Sequence, residues 1–562
     1  MHGDAMINAQ SLLWAMALVF IRFLPASASS TSWAVDFSDA IIQRWPNSIN
    51  DMTGKGWEYS NGIVLQGIER TYASTKNANY LNYIKKYVDQ YVNANGNIAF
   101  DSTAQSLDKL HPGIICLFLY KETGQQKYKT AADKLFSLLK RQPTNPSGGF
   151  WHKKNNANHM LLDGIYMAEP FLAKYGYRIG EQSYCDSMAA FQILLLSSHV
   201  YVASKKLLLH GWDETKTASW ADRTTGLSSE IWSRAMGWFS MALVEVLKYI
   251  PKDHPKYAEL LALLNNIAEG IKNTQDAATG LWYQVVDKGS LPDNWLESSG
   301  SGMLVYALKT AVDCGFIDKS YLAVAQQGWT GMKTKITLDN QGLPVINGFV
   351  GSMNVLDDYA AYVGKEAVNC PPAVHPHGYC GVLMAASAME LGKTRYRLSI
   401  ATSGQGSIID STGEMFHDSG TTVTLAAVAG EGYRLSEWGG DGSGKDQTTT
   451  ILMDKEKTVT ATFIPGSSNV PSLLKKSGCD IDIRVTAGRA CITIPVENTR
   501  DISVKLFDCH GRMVRSIGGK IIHTGKHVFY LNVRHLLPGV YVIRIQSDGI
   551  LHDLPLVMAD NN

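Results

Sequence analysis

The stretch GGFWHKKNNANHMLLDGIYMAEPFLAKYG, at residues 148–176, contains the residue types that acid–base chemistry uses. Asp163 follows two leucines and precedes apolar positions with helical spacing. Loss of hydration disfavours the charged form of a carboxyl group, and a carboxyl that keeps its proton near neutral pH suits a general acid. Asp is also a favoured N-cap of helices. The sequence therefore leaves two interpretations of Asp163, a general acid and a helix cap, which do not exclude each other.

Other clusters of polar and aromatic residues lie in the same half of the chain. With the stretch above, they give the candidate site residues Tyr59, Asp108, His152, Lys153, His210, Trp232, Arg234 and Trp238. Some have a purely structural interpretation, since Asp108 can cap a helix that begins near Pro112 and His210 can be a satisfied buried histidine. Arg234 lies on a largely apolar helix, where a buried guanidinium needs a partner such as a carboxylate.

The joint pattern is more informative than any single residue. Two acids with an Arg, a Lys, two His and several Trp, all at helix starts or loops, match a carbohydrate site. Two carboxylates near a sugar indicate acid–base chemistry on a glycosidic linkage. The sequence has no dense cluster of metal ligands, no GxSxG motif and no phosphate loop, so we predict neither a metal nor another cofactor.

Helices must position these residues. Apolar positions recur at about 3.6-residue spacing, with Gly-, Pro-, Asn- and Asp-rich turns between the stripes. The predicted helices cover about residues 61–73, 79–93, 111–122, 127–141, 159–175, 184–206, 229–249, 255–274, 299–314, 319–334, 355–364 and 378–391. Such helices can pair into hairpins that stack side by side, and six hairpins closing into a ring would place the loops and any active site at one end.

The pattern changes after Lys393, where apolar and polar residues alternate and Gly-rich turns separate the runs. This predicts two small β-sandwich-like modules, at residues 396–465 and 479–562, joined by a linker at 466–478. The predicted fold class is therefore mainly α, with a helical domain at residues 36–395 followed by these modules.

Composition and the amino terminus indicate the compartment. A formal net charge of +1 does not indicate attraction to nucleic acid or to anionic membranes. Residues 1–30 combine a short apolar run with the small-residue site Ala26-Ser27-Ala28, which predicts a signal peptide. The run is shorter than the ~20 residues of a membrane span. We therefore expect an exported protein without a membrane span, secreted, at the cell surface or in the periplasm. Cys370 and Cys380 flank a loop and can form a bridge.

The motifs HKKNNANHMLLDG, LLHGWDE, WADRTTGLSSEIWSRAMGWF, WLESSGSGM and HGYCGVLM occur in this order. Together they resemble the unsaturated rhamnogalacturonyl hydrolases of glycoside hydrolase family 105. The resemblance covers about residues 36–395 and implies an (α/α) six-hairpin barrel. It also implies an oligosaccharide substrate left by a pectin-type lyase, with a 4,5-unsaturated uronic acid at its non-reducing end.

This resemblance implies roles for the candidate residues. Asp163 falls on the proton donor, which protonates carbon 4 of the double bond while water adds at carbon 5, and the resulting hemiketal opens. Asp108 falls on the second acid, whose charge is expected to raise the pKa of Asp163 further. The other candidates match positions around the sugar pocket, where Lys153 or Arg234 can pair with the uronate carboxylate.

The carboxy-terminal modules carry two further resemblances. YRLSIATSGQGSIIDSTG with YRLSEWGGDGSG is similar to a divergent InlB-type repeat. LPGVYVIRI resembles the C-terminal sorting domain of type IX secretion, which implies the secretion machinery as a partner. Generic β-sandwich appendages are the alternative for both modules. For the whole chain, the alternatives are an unsaturated glucuronyl hydrolase acting on another polyanionic polysaccharide, a polysaccharide lyase or an ordinary glycosidase on a similar helical toroid, and a non-catalytic surface glycan-binding protein.

Overall fold

The computed structural model describes residues 32–369, 375–410, 412–430, 432–465, 482–486, 489–496, 500–508, 513–534, 536, 539–547 and 550–558. The predicted signal peptide and linker lie outside these residues, as does Cys370 of the predicted bridge, whereas Cys380 is described and buried. Within these ranges no helix is both long enough and apolar enough to cross a membrane.

Helices dominate the chain from Trp33 to Ala386. Their bounds are α1 (Trp33–Arg44), α2 (Asn50–Thr53), α3 (Tyr59–Thr75), α4 (Ala78–Tyr91), α5 (Gly113–Thr123), α6 (Gln126–Leu139), α7 (Leu162–Arg178), α8 (Gln182–Val200), α9 (Ser233–Leu247), α10 (Tyr257–Asn273), α11 (Ser298–Asp313), α12 (Tyr321–Lys333), α13 (Tyr359–Val363) and α14 (Pro376–Ala386). The apolar stripes predicted most of these bounds to within a few residues. The helix predicted over 184–206 instead ends at Val200, because the chain turns back in a hairpin through Lys206, whose φ is 55°.

One set of helices is surrounded by the other. α3 contacts α5, α5 contacts α7, α7 contacts α9, α9 contacts α11, α11 contacts α14, and α14 contacts α3. α1, α4, α6, α8, α10 and α12 pack on neighbouring members of this inner set. Every residue of α9 is buried, whereas α10 buries a single stripe. Burial on all sides is expected of a helix that other helices surround.

Glycines line the contacts between three inner helices, α9, α11 and α14. We call Gly237, Gly300, Gly302 and Gly381 the glycine seam. A Cβ added to Gly302 would clash with the carbonyl group of Gly381, and one added to Gly300 would clash with Ser233. A Cβ on Gly237 would likewise press on α11. The absence of side chains therefore lets these helix backbones approach one another closely.

Short strands connect the helices where the inner helices begin. Their bounds are β1 (His159–Leu161), β2 (Tyr201–Val202), β3 (Leu207–Leu208), β4 (Gly211–Asp213), β5 (Trp282–Tyr283), β6 (Leu296–Glu297), β7 (Ile336–Leu338), β8 (Pro344–Val350) and β9 (Ala367–Asn369). β1 leads directly into α7 and pairs with β4, while β6 leads into α11 and pairs with β5. Trp232, just before α9, forms a bridge with Val285. These pairings hold the starts of α7, α9 and α11 side by side.

Two strand-rich modules follow. The first contains β10 (Arg395–Ser403), β11 (Gly406–Asp410), β12 (Phe416–Asp418), β13 (Thr422–Ala429), β14 (Tyr433–Gly440), β15 (Thr448–Leu452) and β16 (Lys457–Pro465), in sheets ordered β12-β10-β16-β14 and β11-β13-β15. The second contains β17 (Asp482–Thr486), β18 (Arg489–Val496), β19 (Arg500–Asp508), β20 (Met513–Ile522), β21 (Gly525–Asn532), β22 (Gly539–Ser547) and β23 (Ile550–Met558), ordered β17-β18-β21 and β20-β19-β22-β23. Each module has its own apolar core.

The first module packs on the helical domain where the inner helices end. Glu414 accepts a hydrogen bond of 2.7 Å from the Tyr249 hydroxyl, pairs with Arg178, and lies 3.2 Å from the Lys121 ammonium. Burial raises the pKa of Glu414, but the charges of Arg178 and neighbouring lysines outweigh burial and hold it well below its usual range. This carboxylate is therefore ionised and neutralises cations from α5 and α7.

Apolar and backbone contacts complete this interface. Met415 and Phe416 belong to the core of the helical domain. The Arg397 guanidinium donates hydrogen bonds to the carbonyl oxygens of Leu247, at 3.1 Å, and Ile250, at 3.2 Å. Carbonyl groups at the end of a helix lack intrahelical partners, so a side chain of the module caps the end of α9.

Candidate active site

Asp163 is the second residue of α7. Its Oδ2 atom is 3.1 Å from Nε2 of His210, which precedes β4. The side chain of Asp163 is 18% exposed and that of His210 is 1% exposed. Leu161 occupies the N-cap position of α7, and its own side chain makes no capping hydrogen bond. The interpretation of Asp163 as a helix cap is therefore wrong, and its carboxylate faces a buried histidine.

The pKa of Asp163 also differs from the expectation. Burial raises it, but the hydrogen bond from His210 and the positive charges of His152 and Arg234 outweigh burial and lower it below its ordinary value. The carboxyl group is therefore ionised near neutral pH in the absence of substrate. The expectation of a protonated Asp163 considered only its apolar sequence neighbours, whereas the groups that lower its pKa are brought in by the fold.

Asp108 lies in a short 3₁₀ turn, Leu107–Lys109, ahead of α5. The N-cap of α5 is Pro112, so Asp108 does not cap this helix. Its Oδ1 atom is 3.4 Å from Nε2 of His152. Burial raises the pKa of Asp108, but His152 and Lys153 outweigh burial and lower it. The pKa of His152 is raised, because the effect of Asp108 outweighs that of burial. The two groups therefore form an ion pair.

Arg234, in the first turn of α9, is buried. It donates hydrogen bonds to the carbonyl oxygens of Val350 and Gly351, both at 2.6 Å, and to the Ser299 hydroxyl at 3.1 Å. Its guanidinium carbon lies 4.5 Å from the centre of the Trp232 ring. Its hydrogen-bond partners in the described part of the chain are thus carbonyls and a hydroxyl, so the alternative of a carboxylate partner from within the chain is wrong for these residues.

Tyr59 faces a pair of histidines at the start of α14. Its hydroxyl lies 3.0 Å from Nε2 of His377, whose ring stacks on that of His375 at 4.6 Å. Burial, together with the charge of Arg234, lowers the pKa of His377 well below its usual range and that of His375 to about 4. Both rings are therefore neutral near neutral pH.

Electrostatic interactions join these groups into one site. The pKa of His152 responds to both Asp108 and Asp163, and the pKa of Tyr59 responds to both carboxylates and to Arg234. Lys153 is half-buried and acts on Asp108. The structure thus brings together the residues that the sequence selected, with one exception.

Trp238 is that exception. It lies one turn further along α9 than Arg234, is buried, and packs its ring 5.0 Å from that of Tyr166. Tyr166 donates a hydrogen bond to Gln66, which also bonds to His111. Trp238 therefore contributes to the packed interior beneath the site.

Three residues of the site were not among the candidates. The Tyr362 hydroxyl lies 2.7 Å from Nδ1 of His210, and the Gln284 amide oxygen accepts a hydrogen bond of 3.1 Å from Trp232. His377, bonded to Tyr59, is the third. The sequence carried a signal for His377, since it follows Pro376 at the start of a predicted helix. Tyr362 and Gln284 carried none.

This arrangement suits proton transfer to a sugar. Each of two carboxylates is paired with a histidine, and the Trp232 ring lies 4.8 Å from that of His210. Arg234 and Lys153 add positive charge, which favours a substrate with a carboxylate. No group of three His, Cys, Asp or Glu side chains is placed to hold a metal ion in the ranges that the structure describes.

Family models match three consecutive parts of the chain. Residues 33–391 match the Glycosyl Hydrolase Family 88. Residues 396–467 match the Divergent InlB B-repeat domain, and residues 488–552 match the Secretion system C-terminal sorting domain.

Curated relatives and solved structures agree with these matches. The unsaturated rhamnogalacturonyl hydrolase YesR of Bacillus subtilis is 26% identical over 280 residues, which cover 48% of this chain and 75% of that protein. Protein Atu3128 of Agrobacterium fabrum is 34% identical over 190 residues, covering 33% and 79%. A family 105 glycoside hydrolase from C. acetobutylicum ATCC 824 superposes with a TM-score of 0.60 and 32% identity, over 64% of this chain and 99% of that structure.

Proposed function

This chain belongs to the Glycosyl Hydrolase Family 88, and from that premise we propose that it removes a 4,5-unsaturated uronic acid from the non-reducing end of lyase-generated rhamnogalacturonan oligosaccharides. It is a glycoside hydrolase of the unsaturated glycuronyl type. The pairing of Asp163 with His210 where α7 begins carries the proposal. The similarity to YesR supports the choice of rhamnogalacturonan.

Asp163 is the proposed proton donor. Without substrate it is ionised, and a uronate carboxylate bound beside it raises its pKa because like charges repel. Asp163 then takes up a proton and transfers it to carbon 4 of the double bond. Water attacks carbon 5 and returns a proton to Asp163, and the hemiketal formed opens to release the neighbouring sugar. The hydrogen bond of 3.1 Å from His210 stabilises the carboxylate left after transfer.

Other site residues bind and orient the sugar. Lys153 is the cation assigned to the uronate carboxylate, and Tyr59 is assigned to the sugar ring. The buried Arg234 contributes its charge, and the buried Trp232 packs on His210. Asp108 pairs with His152, whose pKa also responds to Asp163, so a second carboxylate belongs to the same site. We assign Asp108 to orienting the attacking water, a task that suits an ionised carboxylate.

The same proposal covers the organisation and export of the chain. The contacts from α3 through α14 and back to α3 support an (α/α) six-hairpin barrel at residues 36–395, with modules at 396–465 and 479–562. The carboxy-terminal match is a type IX sorting domain. We therefore propose a signal peptide at residues 1–30, passage through that machinery, and a secreted or surface enzyme of pectin degradation.

Absorbance at the band of the unsaturated uronate tests this function. With lyase-digested rhamnogalacturonan, the wild type should lower the signal, and Asp163→Asn should reduce the rate by about a thousandfold. The matched control is Asp318→Asn, which changes an aspartate in an exposed turn before α12 and should keep wild-type activity.

The outcomes separate the alternatives. A signal that falls only with lyase-digested glucuronyl polysaccharides, such as ulvan, would replace rhamnogalacturonan by the second substrate class. A rising signal with undigested polymer would indicate a lyase. Binding of oligosaccharide without any change in absorbance, by wild type and Asp163→Asn alike, would contradict the hydrolase function.

A further inference from the structure

Tyr362 lies behind the histidine that contacts the proposed proton donor. It belongs to the short helix α13 and is fully buried. Its hydroxyl oxygen is 2.7 Å from Nδ1 of His210, whose Nε2 is 3.1 Å from Oδ2 of Asp163. One hydrogen-bonded line therefore runs from Tyr362 through His210 to Asp163.

The partners of the Tyr362 hydroxyl determine which way it donates. Its oxygen accepts a hydrogen bond of 3.4 Å from the backbone N–H of Leu356. Burial raises the pKa of Tyr362, so the phenol keeps its proton. That proton points to the remaining partner, Nδ1 of His210. A neutral imidazole has one N–H, so a ring that accepts at Nδ1 carries its proton at Nε2, facing Asp163.

Neighbouring groups hold Tyr362 in this position. The Gln284 side-chain N–H donates a hydrogen bond of 3.3 Å to the backbone carbonyl of Tyr362, and the Gln284 carbonyl oxygen accepts one of 3.1 Å from the Trp232 indole. The Trp232 ring packs 4.8 Å from that of His210. These hydrogen bonds and the ring packing restrain both the tyrosine and the imidazole, which keeps the hydroxyl close to Nδ1 of His210.

We propose that Tyr362 is a positioning residue that fixes His210 in the Nε2–H tautomer, and thereby sets how readily Asp163 takes up and releases its proton. This inference deepens the proposed function and rests on it. Tyr362 itself does not contact Asp163 through a hydrogen bond in the described structure, so it acts through His210.

Several other titratable groups also act on Asp163 and are held constant in the test. Those that interact with it are His152, His210, Arg234, Tyr59 and Tyr362, while Glu230 acts on Tyr362. Only the hydroxyl of Tyr362 is removed in Tyr362→Phe. A change in the pH profile of that variant therefore reports on the line from Tyr362 to Asp163.

The kinetic test compares Tyr362→Phe with Tyr83→Phe. Tyr83 is also buried and donates its hydroxyl to a backbone carbonyl, that of Trp45, at 2.9 Å. In Tyr362→Phe, kcat should fall by about tenfold with KM changed less than about twofold, as expected for one lost hydrogen bond. The carboxylate of Asp163 loses a stabilising donor, so the loss of activity with rising pH should move to higher pH. Tyr83→Phe should keep the wild-type profile.

A readout without substrate separates this inference from the proposed function. Nitrogen-15 NMR of the histidine rings distinguishes Nδ1–H from Nε2–H, and the His210 signal is identified by its loss in His210→Gln. The wild type should show His210 as Nε2–H, and Tyr362→Phe should show a mixture of tautomers. If both NMR results are obtained but the enzyme turns over no unsaturated uronide, the proposed function is wrong and the tautomer assignment still holds.

Two results would overturn the inference. One is a wild-type His210 that carries its proton on Nδ1, which can be measured even where Tyr362→Phe does not fold. The other is a Tyr362→Phe enzyme that unfolds more easily but keeps both the His210 tautomer and the pH profile of the wild type, as a purely structural hydroxyl would.

Discussion

The two ends of the inner helices use the same helix geometry for opposite purposes. Where α7 begins, the side chain of Asp163 is 18% exposed and contacts one histidine. Where α7 ends, Arg178 is 7% exposed and pairs with Glu414 of the first β-module. Helix dipoles favour anions at the start of a helix and cations at its end. A charge that stays accessible serves chemistry, whereas a charge that is neutralised across an interface attaches a module.

The two ends of α9 also differ, one lying in the site and the other at the interface with the first β-module. At its start, Arg234 lies in the site and donates hydrogen bonds to the carbonyl of the last residue of β8 and to that of the residue after it. At its end, free carbonyls receive the guanidinium of Arg397 from the module. If the comparison holds, a substitution at the beginning of the inner helices should affect turnover more than stability, and a substitution at their end should do the reverse.

Among the substitutions that compare the two ends, the largest effect is expected where the inner helices begin. Asp108→Asn should lower kcat/KM by about a hundredfold, as loss of one acid–base group does. The free energy of unfolding should fall by only about 1 kcal/mol, because the amide can still hydrogen-bond to the His152 imidazole. Steady-state kinetics and urea titration on the same preparation measure both quantities. A loss of activity that follows a loss of folded protein would break the comparison, because Asp108 would then be a structural residue.

A smaller effect, on stability and not on turnover, is expected where the inner helices end. Glu414→Gln removes the anion that faces Arg178 and Lys121, and should lower the free energy of unfolding by about 2 kcal/mol, less than the cost for a fully buried pair. The kcat of the folded enzyme should stay at the wild-type value. Urea unfolding gives the first quantity and the absorbance assay the second.

The matched control for Glu414→Gln is Glu456→Gln. Glu456 also belongs to the module and pairs with a lysine of the helical domain, Lys252, at 2.8 Å, but both side chains are more than half exposed. Exposed ion pairs contribute about 0–1 kcal/mol, so this variant should unfold like the wild type. Equal destabilisation by the two substitutions would mean that burial of Glu414 does not matter.

The smallest predicted effect is a difference between the two ends in how their contribution to stability depends on pH. The raised pKa of His152 means that its pairing with Asp108 stabilises the fold fully below the unfolded-state pKa of about 6.5, and that this contribution is lost as pH rises through the folded-state pKa. The Tm difference between wild type and His152→Gln should therefore shrink as pH rises, by about 1 °C.

The corresponding difference for Glu414→Gln should stay constant over the same pH range. The pKa of Glu414 is held well below its usual range, so its stabilising charge is lost only as pH falls through that lowered value, far on the acidic side. Thermal unfolding followed by circular dichroism at a series of pH values measures both differences. If the Tm differences of the two variants changed with pH in the same way, the two ends would not differ in the pH dependence of their stability.

The sequence predicted the helices well and the electrostatics poorly. Apolar periodicity is local, so it placed α4 and α6 within two residues of their observed bounds. Family motifs selected Asp163, His210 and Arg234 as candidates for one site, and the first two lie within hydrogen-bond distance of each other. The pKa of Asp163 was predicted in the wrong direction, because it depends on His210, which is 47 residues away in the chain.

Local sequence patterns did not identify residues whose partners are far away along the chain. Tyr362 reaches His210 across 152 residues, and Glu414 reaches Arg178 across 236. Neither residue has a diagnostic neighbour in the sequence, since its partner is chosen by the packing of helices against a loop or a module. Hydrogen bonds of this kind depend on tertiary geometry, which local patterns do not encode.

The glycine seam has a consequence for mutational scans. Gly300, Gly302 and Gly381 accept no methyl group without displacing a neighbouring backbone. A library of single substitutions scored for activity should therefore show intolerant positions along α11 and α14, although a glycine there has no side chain to offer a reacting atom. Tolerance scores alone would rank these glycines beside Asp163. Separating the two classes requires measuring the abundance of each variant together with its turnover.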